Sequence, residues 1–268
     1  MEKVAFMYDF DDTLIDGSSD DALIKEVLGI KNIYDWWDEV NTFASKHNMD
    51  PFLATLYCYK NEFEKRGIEV TKHFFSKYGK SVKFFQGVTT WFDRINEYAR
   101  GLGLEIEHYI ISSGLKEIME ATEIAPKIKK IFGSSYIYDE NGKAMWIGHS
   151  INYTNKTQFM YRIRKNFIEN LADFGDINER IIDKSKIIPY GNMVYFGDGV
   201  TDIPCMKILT MFNGNSICVY KENSKASYEG AKKLYLDKRV NSYVPADYSE
   251  GSKLDEVVKH ILTKIKNK

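Results

Sequence analysis

The chain has 268 residues, of which 44% are hydrophobic and 28% charged, a composition that suits one large globular domain or a main domain with a smaller companion. Its 37 basic and 38 acidic side chains leave a net charge of -1, which supplies no electrostatic footprint for nucleic acid. The cysteines Cys58, Cys205 and Cys218 lie far apart without metal-ligand spacing, so buried thiols in a reducing compartment are expected rather than disulfides or a zinc site.

The chain enters almost at once into the apolar run over 4–8, without the basic region and long apolar core of a signal peptide. No apolar run approaches the roughly 20 residues that span a bilayer. A cytoplasmic protein without membrane partners is expected. Further strand-like runs fall at 106–111, 135–138, 193–196 and 217–220. Helical periodicity marks 90–100, 116–124 and 156–170 between them. Strands alternating with helices predict an α/β fold, a mostly parallel sheet covered on both faces. Ligands bind such sheets at the carboxyl ends of the strands.

The region over 15–85 breaks this rhythm, with no convincing strand. Helical stretches are predicted at 20–28, 34–47 and 52–66, with another at 71–78. Its many aromatics, among them Trp36, Trp37, Phe52, Tyr59, Phe63 and Phe75, read as the core of a small helical unit, with some left over to line a pocket. Gly17-Ser18 and Gln86-Gly87 are candidate hinges. An antiparallel element is expected over 136–151, where Asp139-Glu140-Asn141-Gly142 has hairpin-turn chemistry. The Lys-rich end over 259–268 reads as the solvated face of a last helix.

The chemistry concentrates where the apolar runs stop. Asp9 and Asp11 follow the first run in Asp9-Phe10-Asp11-Asp12-Thr13, and residues two apart on an extended backbone share a side. Two close carboxylates repel unless a cation or a shared proton separates them. Magnesium, which takes hard oxygen ligands, is the natural partner. Tyr109-Ile110-Ile111 leads into Ser112-Ser113-Gly114 ahead of a predicted helix, where backbone N–H groups can cradle phosphate. Lys156 opens another helical stretch, and Gly197-Asp198-Gly199-Val200-Thr201-Asp202 follows the run over 193–196. Each segment has a plainer reading alone: an acidic turn with Thr13 as N-cap, a simple helix cap, a surface lysine. A calcium loop is excluded at 197–202, which has too few alternating oxygen donors and no closing Glu.

Taken in order, these segments resemble the haloacid-dehalogenase-like (HAD) phosphohydrolase superfamily, within the group similar to phosphoserine phosphatase. The resemblance rests on DFDDT at 9–13, YIISSG at 109–114, Lys156 and FGDGVTD at 196–202, and covers nearly the whole chain. It implies a Rossmann-like core over 1–14 and 86–268, with a helical cap domain over 15–85 inserted after the first strand. It also implies a magnesium-dependent phosphomonoesterase. Asp9 would attack phosphorus and Asp11 would act as acid and base. Asp9, the backbone carbonyl of Asp11 and Asp198 would hold Mg2+. Ser112, Ser113, Gly114 and Lys156 would bind phosphate, with Thr13 and Asp202 in supporting places. Ser-Ser-Gly stands where Ser-Gly-Gly is common in the family. Asp11 argues against the dehalogenase and phosphonate-hydrolase branches, which lack that acid.

A phosphotransferase or mutase on the same fold, and a non-catalytic phospho-ligand-binding module, are the competing readings. The expected partner is a small phosphorylated metabolite, met by a monomer or homodimer. Selectivity is expected from Asp16, Asp20, Asp21 and some of the aromatics. Arg66, Lys46 and Lys60 read as surface charges. No residue pattern demands phosphoserine.

Overall fold

The computed structural model describes residues 1–172, 178 and 187–268. Among these, seven strands form one sheet in the order β4-β3-β2-β1-β5-β6-β7. They are β1 (Glu2–Tyr8), β2 (Leu104–Leu115), β3 (Lys130–Tyr138), β4 (Ala144–His149), β5 (Met193–Gly197), β6 (Asn215–Tyr220) and β7 (Ser242–Pro245). All neighbours run parallel except β3 and β4. The fold is thus α/β with a parallel-dominated sheet flanked by helices. The chain order reverses at β1, which lies between β2 and β5, the arrangement that opens a crevice at the carboxyl ends of those strands.

The middle of β1 explains why it is central. Val4 to Tyr8 are all fully buried. Val4, Phe6 and Tyr8 pack into the core on one face of the sheet, and Ala5 and Met7 into the core on the other, as alternation along a strand requires. The first face is covered by α5 (Val88–Gly101) and the C-terminal helix (Lys253–Lys266). In α5 the apolar face is Val88, Trp91, Phe92, Ile95 and Ala99, a helical spacing that lays one stripe on the sheet. The second face carries α7 (Lys156–Lys165), α8 (Ile203–Met211) and α9 (Lys225–Leu236). The C-terminal helix, α10, buries Leu254, Val258, Ile261, Leu262 and Ile265 and ends in lysines.

Between β1 and α5 lie four helices and no strand: α1 (Asp21–Glu26), α2 (Ile33–His47), α3 (Pro51–Lys65) and α4 (Lys72–Ser76). Their starts follow from local side chains. Asn32, Asp50 and Thr71 accept from backbone N–H groups of Tyr34, Leu53 and Phe74, and Pro51 sits at the first turn of α3. Trp36, Tyr59, Phe63 and Phe75 form their core, shared with Leu115, Ile118, Tyr136 and Ala144 from the sheet side. The Tyr136 hydroxyl donates to the Leu56 carbonyl, binding the β3–β4 hairpin to α3. The antiparallel pair expected over 136–151 is β3–β4, turned through Asp139 and Gly142.

Several element bounds differ from expectation. β2 does not stop before the serines but runs through Ser112, Ser113 and Gly114 to Leu115, and the helix after it (α6, Lys116–Glu120) is one short turn. The helix expected over 156–170 ends at Lys165, where Asn166 takes a left-handed conformation. β7 and the helices α8 and α9 were not anticipated.

Gly87, at the junction of the helical block and α5, has φ +80, and a Cβ there would meet the backbone of Ser249 and lie 2.5 Å from the Tyr248 carbonyl carbon. Gly87→Ala is therefore expected to destabilise the fold by about 2–4 kcal/mol, the sum of a strained φ and backbone overpacking. Urea unfolding would check this, and an unchanged midpoint would refute it.

Candidate active site

Asp9 is the first residue past β1, and its N–H still donates to Phe196 of β5 at 2.9 Å. The ladder thus holds the backbone of Asp9 while its side chain turns into the crevice end. Lys156, the first residue of α7, places Nζ 2.9 Å from Asp9 Oδ2 and 2.8 Å from Asp202 Oδ1. The lysine is 1% exposed, Asp9 6% and Asp202 0%. An ammonium so buried is held by its two carboxylates: burial alone would lower its pKa, but Asp202 and Asp9 raise it above the ordinary lysine value.

Asp202 braces the loop that bears Asp198. Its Oδ1 also accepts from the Tyr195 hydroxyl at 2.7 Å, and its Oδ2 accepts from the N–H groups of Asp198 and Gly199 at 3.2 and 3.4 Å. Gly197 makes this possible, since a Cβ there would collide with the Asp202 carboxylate. Carboxylate oxygens of Asp9, Asp198 and Asp202 lie within 4.8 Å of one another. Burial and the neighbouring Asp202 raise Asp9 to about 7, and burial, Asp202 and Asp9 raise Asp198 to about 8. Among the described residues, Lys156 pairs with two of these three hard-oxygen carboxylates, Asp9 and Asp202. That surplus of negative charge, with oxygen-only donors, fits a divalent cation of the magnesium type.

Asp11 faces a second group. Its Oδ1 accepts from the Ser19 N–H at 2.7 Å. Burial and then the charge of Asp20 raise it to about 7. Gly114 lies beside it: a Cβ there would fall 2.8 Å from Ser19 Oγ, 3.4 Å from Asp11 Oδ2 and 3.5 Å from Ser112 Oγ. The glycine therefore leaves space between Asp11 and Ser112. Ser112 is buried, and its Oγ accepts from the Gly114 N–H at 3.1 Å. Thr13 is also buried; its carbonyl accepts from Tyr248, and its Oγ1 has no hydrogen-bond partner.

A cavity of about 310 Å3 opens from this second group. It is lined by Asp11, Ser18, Ser113, Gly114 and Leu115, together with Asp20, Trp37, Asn41, Pro51, Phe52, Thr55, Leu56 and Tyr59. Asp16 lies elsewhere, ion-paired with Lys221 and Lys83, and Asp21 pairs with Lys25. Lys60 and Arg66 pair with Glu64 and Glu62 on their own helix, as surface charges do.

The sequence matches the haloacid dehalogenase-like hydrolase family over residues 6–207. The chain belongs to that family. An uncharacterized protein of Borreliella burgdorferi is 28% identical over 283 aligned positions, spanning 94% of this chain and 93% of its own. Among solved structures, phosphoserine phosphatase in its apo form superposes with a TM-score of 0.59 at 15% identity, covering 97% of this chain and 99% of that one. A phospho-aspartyl intermediate analogue of phosphoserine phosphatase gives a TM-score of 0.54 at 16% identity, with the same coverage. The fold of this HAD hydrolase is thus that of HAD phosphatases. Among the described residues no helix is long and apolar enough to cross a membrane.

Two contributors were not foreseen: the Tyr195 hydroxyl on Asp202 and the Ser19 N–H on Asp11. A tyrosine inside the otherwise apolar run over 193–196 was the only signal for the first. Ser19 acts through its backbone, which no residue type announces.

The carboxylate cluster makes a pH prediction. Asp198 has a raised folded-state pKa, about 8 against an ordinary 3.8. Its ionisation therefore lowers stability as pH rises through that interval. In a chelator, Asp198→Asn is expected to gain stability over the native protein from pH 4 to pH 8, levelling off above that. Paired thermal melts across pH measure this, and a constant difference would rule it out.

Proposed function

We propose that the chain is a magnesium-dependent phosphomonoesterase that forms an aspartyl-phosphate on Asp9 and acts on a small phosphorylated metabolite. The observation that carries this is the Asp9 carboxylate at the carboxyl end of the central strand, held at 2.9 Å by an almost fully buried Lys156 beside Asp198 and Asp202. The structural likeness to a phospho-aspartyl analogue of phosphoserine phosphatase supports the same reading at the level of fold.

Asp9 and Asp198, with the Asp11 backbone carbonyl, would hold Mg2+, which when bound offsets charge on the phosphoryl oxygens and Asp9. The chain's own groups then divide the work. One Asp9 oxygen bonds to phosphorus as the ester P–O bond breaks. Asp11, raised to about 7 by burial and Asp20, carries the proton that passes to the leaving alkoxide. Water then attacks phosphorus, Asp11 takes its proton, and the bond to Asp9 breaks to release phosphate. Lys156 keeps Asp9 anionic and oriented, and Ser112, Ser113 and Gly114 offer hydroxyl and N–H donors to the phosphoryl oxygens. Thr13 and Asp202 support the backbone around these groups. The helical block over 15–85 acts as the cap that closes over the substrate.

Magnesium-dependent phosphate release from an aryl phosphate is the expected activity. Asp9→Asn should lower its rate by about 10³-fold or more, and Asp11→Asn by about 10²–10⁴-fold. Acid-quenched native protein should carry a phosphoryl adduct on the peptide that contains Asp9. Native turnover in Asp9→Asn, or an adduct elsewhere, would sink the proposal.

A further inference from the structure

The turn before α7 is built around one side chain, Asn152. Its Oδ1 accepts from the Thr154 N–H and hydroxyl at 3.0 and 2.8 Å, and from the Asn155 N–H at 2.9 Å. Its own N–H donates to Asn155 Oδ1 at 2.8 Å, a reciprocal pair of the kind that opens a helix. Its carbonyl accepts from the Lys156 N–H at 3.0 Å. The oxygen end of the amide is thus committed to the turn, which leaves the nitrogen end to point away from it. That nitrogen donates to Asp50 Oδ2 at 2.9 Å, in the helical block. Asp50 is the N-cap of α3, and its other oxygen accepts from the Leu53 N–H at 2.9 Å. Pro51, Phe52, Thr55 and Leu56, the residues that follow in α3, help to wall the cavity beside Asp11.

We propose that Asn152 is a positioning residue, which couples the start of α3 to the placement of the Lys156 ammonium beside Asp9. The inference rests on the phosphomonoesterase reading, in which Lys156 holds Asp9 for attack, and adds a residue that acts through that lysine. Lys156 is the first residue of α7, and its Nζ must meet both Asp9 and Asp202. A shift of the turn therefore moves the charge, and a small displacement near a reacting centre is costly in rate. The bond from Asn152 to Asp50 has an ionised acceptor, which makes it one of the stronger kind. Both partners are half-buried, which limits competition from water. Without Asp50 the amide loses its one partner outside the turn among the described residues. Because coupling of this sort is reciprocal, whatever steadies the start of α3, a molecule in the cavity included, also steadies Lys156.

An exchange of the two side chains tests this. Asp50→Asn still accepts from Leu53 but sets an amide against an amide. Asn152→Asp still caps its turn but sets a carboxylate against a carboxylate. The double variant restores one donor and one acceptor with their places reversed. Each single variant should lower kcat/KM for an aryl phosphate by about 10–100-fold, and the double variant should return to within about threefold of native. Hydrogen exchange supplies a readout that the capping of α3 does not move. In Asp50→Asn the N–H groups of Asn155 and Lys156 should exchange about 10-fold faster, and the double variant should slow them again. Native exchange at these two residues in Asp50→Asn, or a double variant no better than the single ones, would overturn the proposal. Native protein without phosphatase activity, in which their exchange still follows Asp50, would keep the coupling and overturn the hydrolase reading. Turnover without that link to Asp50 would overturn the coupling alone.

Discussion

The site depends on one buried ion triad, in which the Lys156 ammonium lies between Asp9 and Asp202. Three groups so far from water are costly unless each finds partners, and removing one partner from such a set costs about 3–5 kcal/mol. Here the partners come from three separate parts of the fold: the end of β1, the start of α7 and the turn after β5. The triad therefore joins the sheet to a helix on its second face, and it forms only when the strands are in register. The geometry of the site and the folding of the chain are the same constraint at this point.

The neighbouring contacts repeat that logic. Asp202 accepts from Lys156, Tyr195 and the N–H groups of Asp198 and Gly199, so one carboxylate orders the whole turn. Gly197 and Gly114 are the positions at which a single carbon would fill the space this arrangement needs. Asn152 extends the network outward. Its side-chain oxygen accepts from Thr154 and Asn155 just before Lys156, and its amide donates to Asp50, the N-cap of α3. The segment that presents the lysine is thus tied to the helical block that walls the cavity.

How much of this could be read in the residues follows from what each part depends on. β1 was legible because five successive apolar residues need burial on both sides, and only a central parallel strand supplies that. Asp9, Lys156, Asp198 and Asp202 were legible as candidates because acidic and Gly-rich segments followed apolar runs in a familiar order; that they converge is a property of the sheet order alone. The path of β2 through Ser112 and Gly114 was not legible, since serine and glycine are turn signals and only pairing with neighbours holds them extended. β7, Ser242–Pro245, was missed for a similar reason: four residues carry too little pattern. The division of the aromatics was foreseen in kind but not by residue. Trp36 and Trp37 are adjacent, yet one is core and the other faces the cavity, which follows from helix rotation rather than residue type.

Two carboxylate groups lie at the end of β1, and they differ in charge balance. Asp9, Asp198 and Asp202 have an ammonium beside them and a surplus of oxygen donors, a setting that would suit the proposed phosphoryl group and its metal. Among the described residues, Asp11 and Asp20 have backbone and hydroxyl donors but no ion-pair partner. Because Asp9 and Asp11 are two residues apart on the chain, the proposed phosphomonoesterase reading would lay the phosphate over the first group and the alcohol over the second.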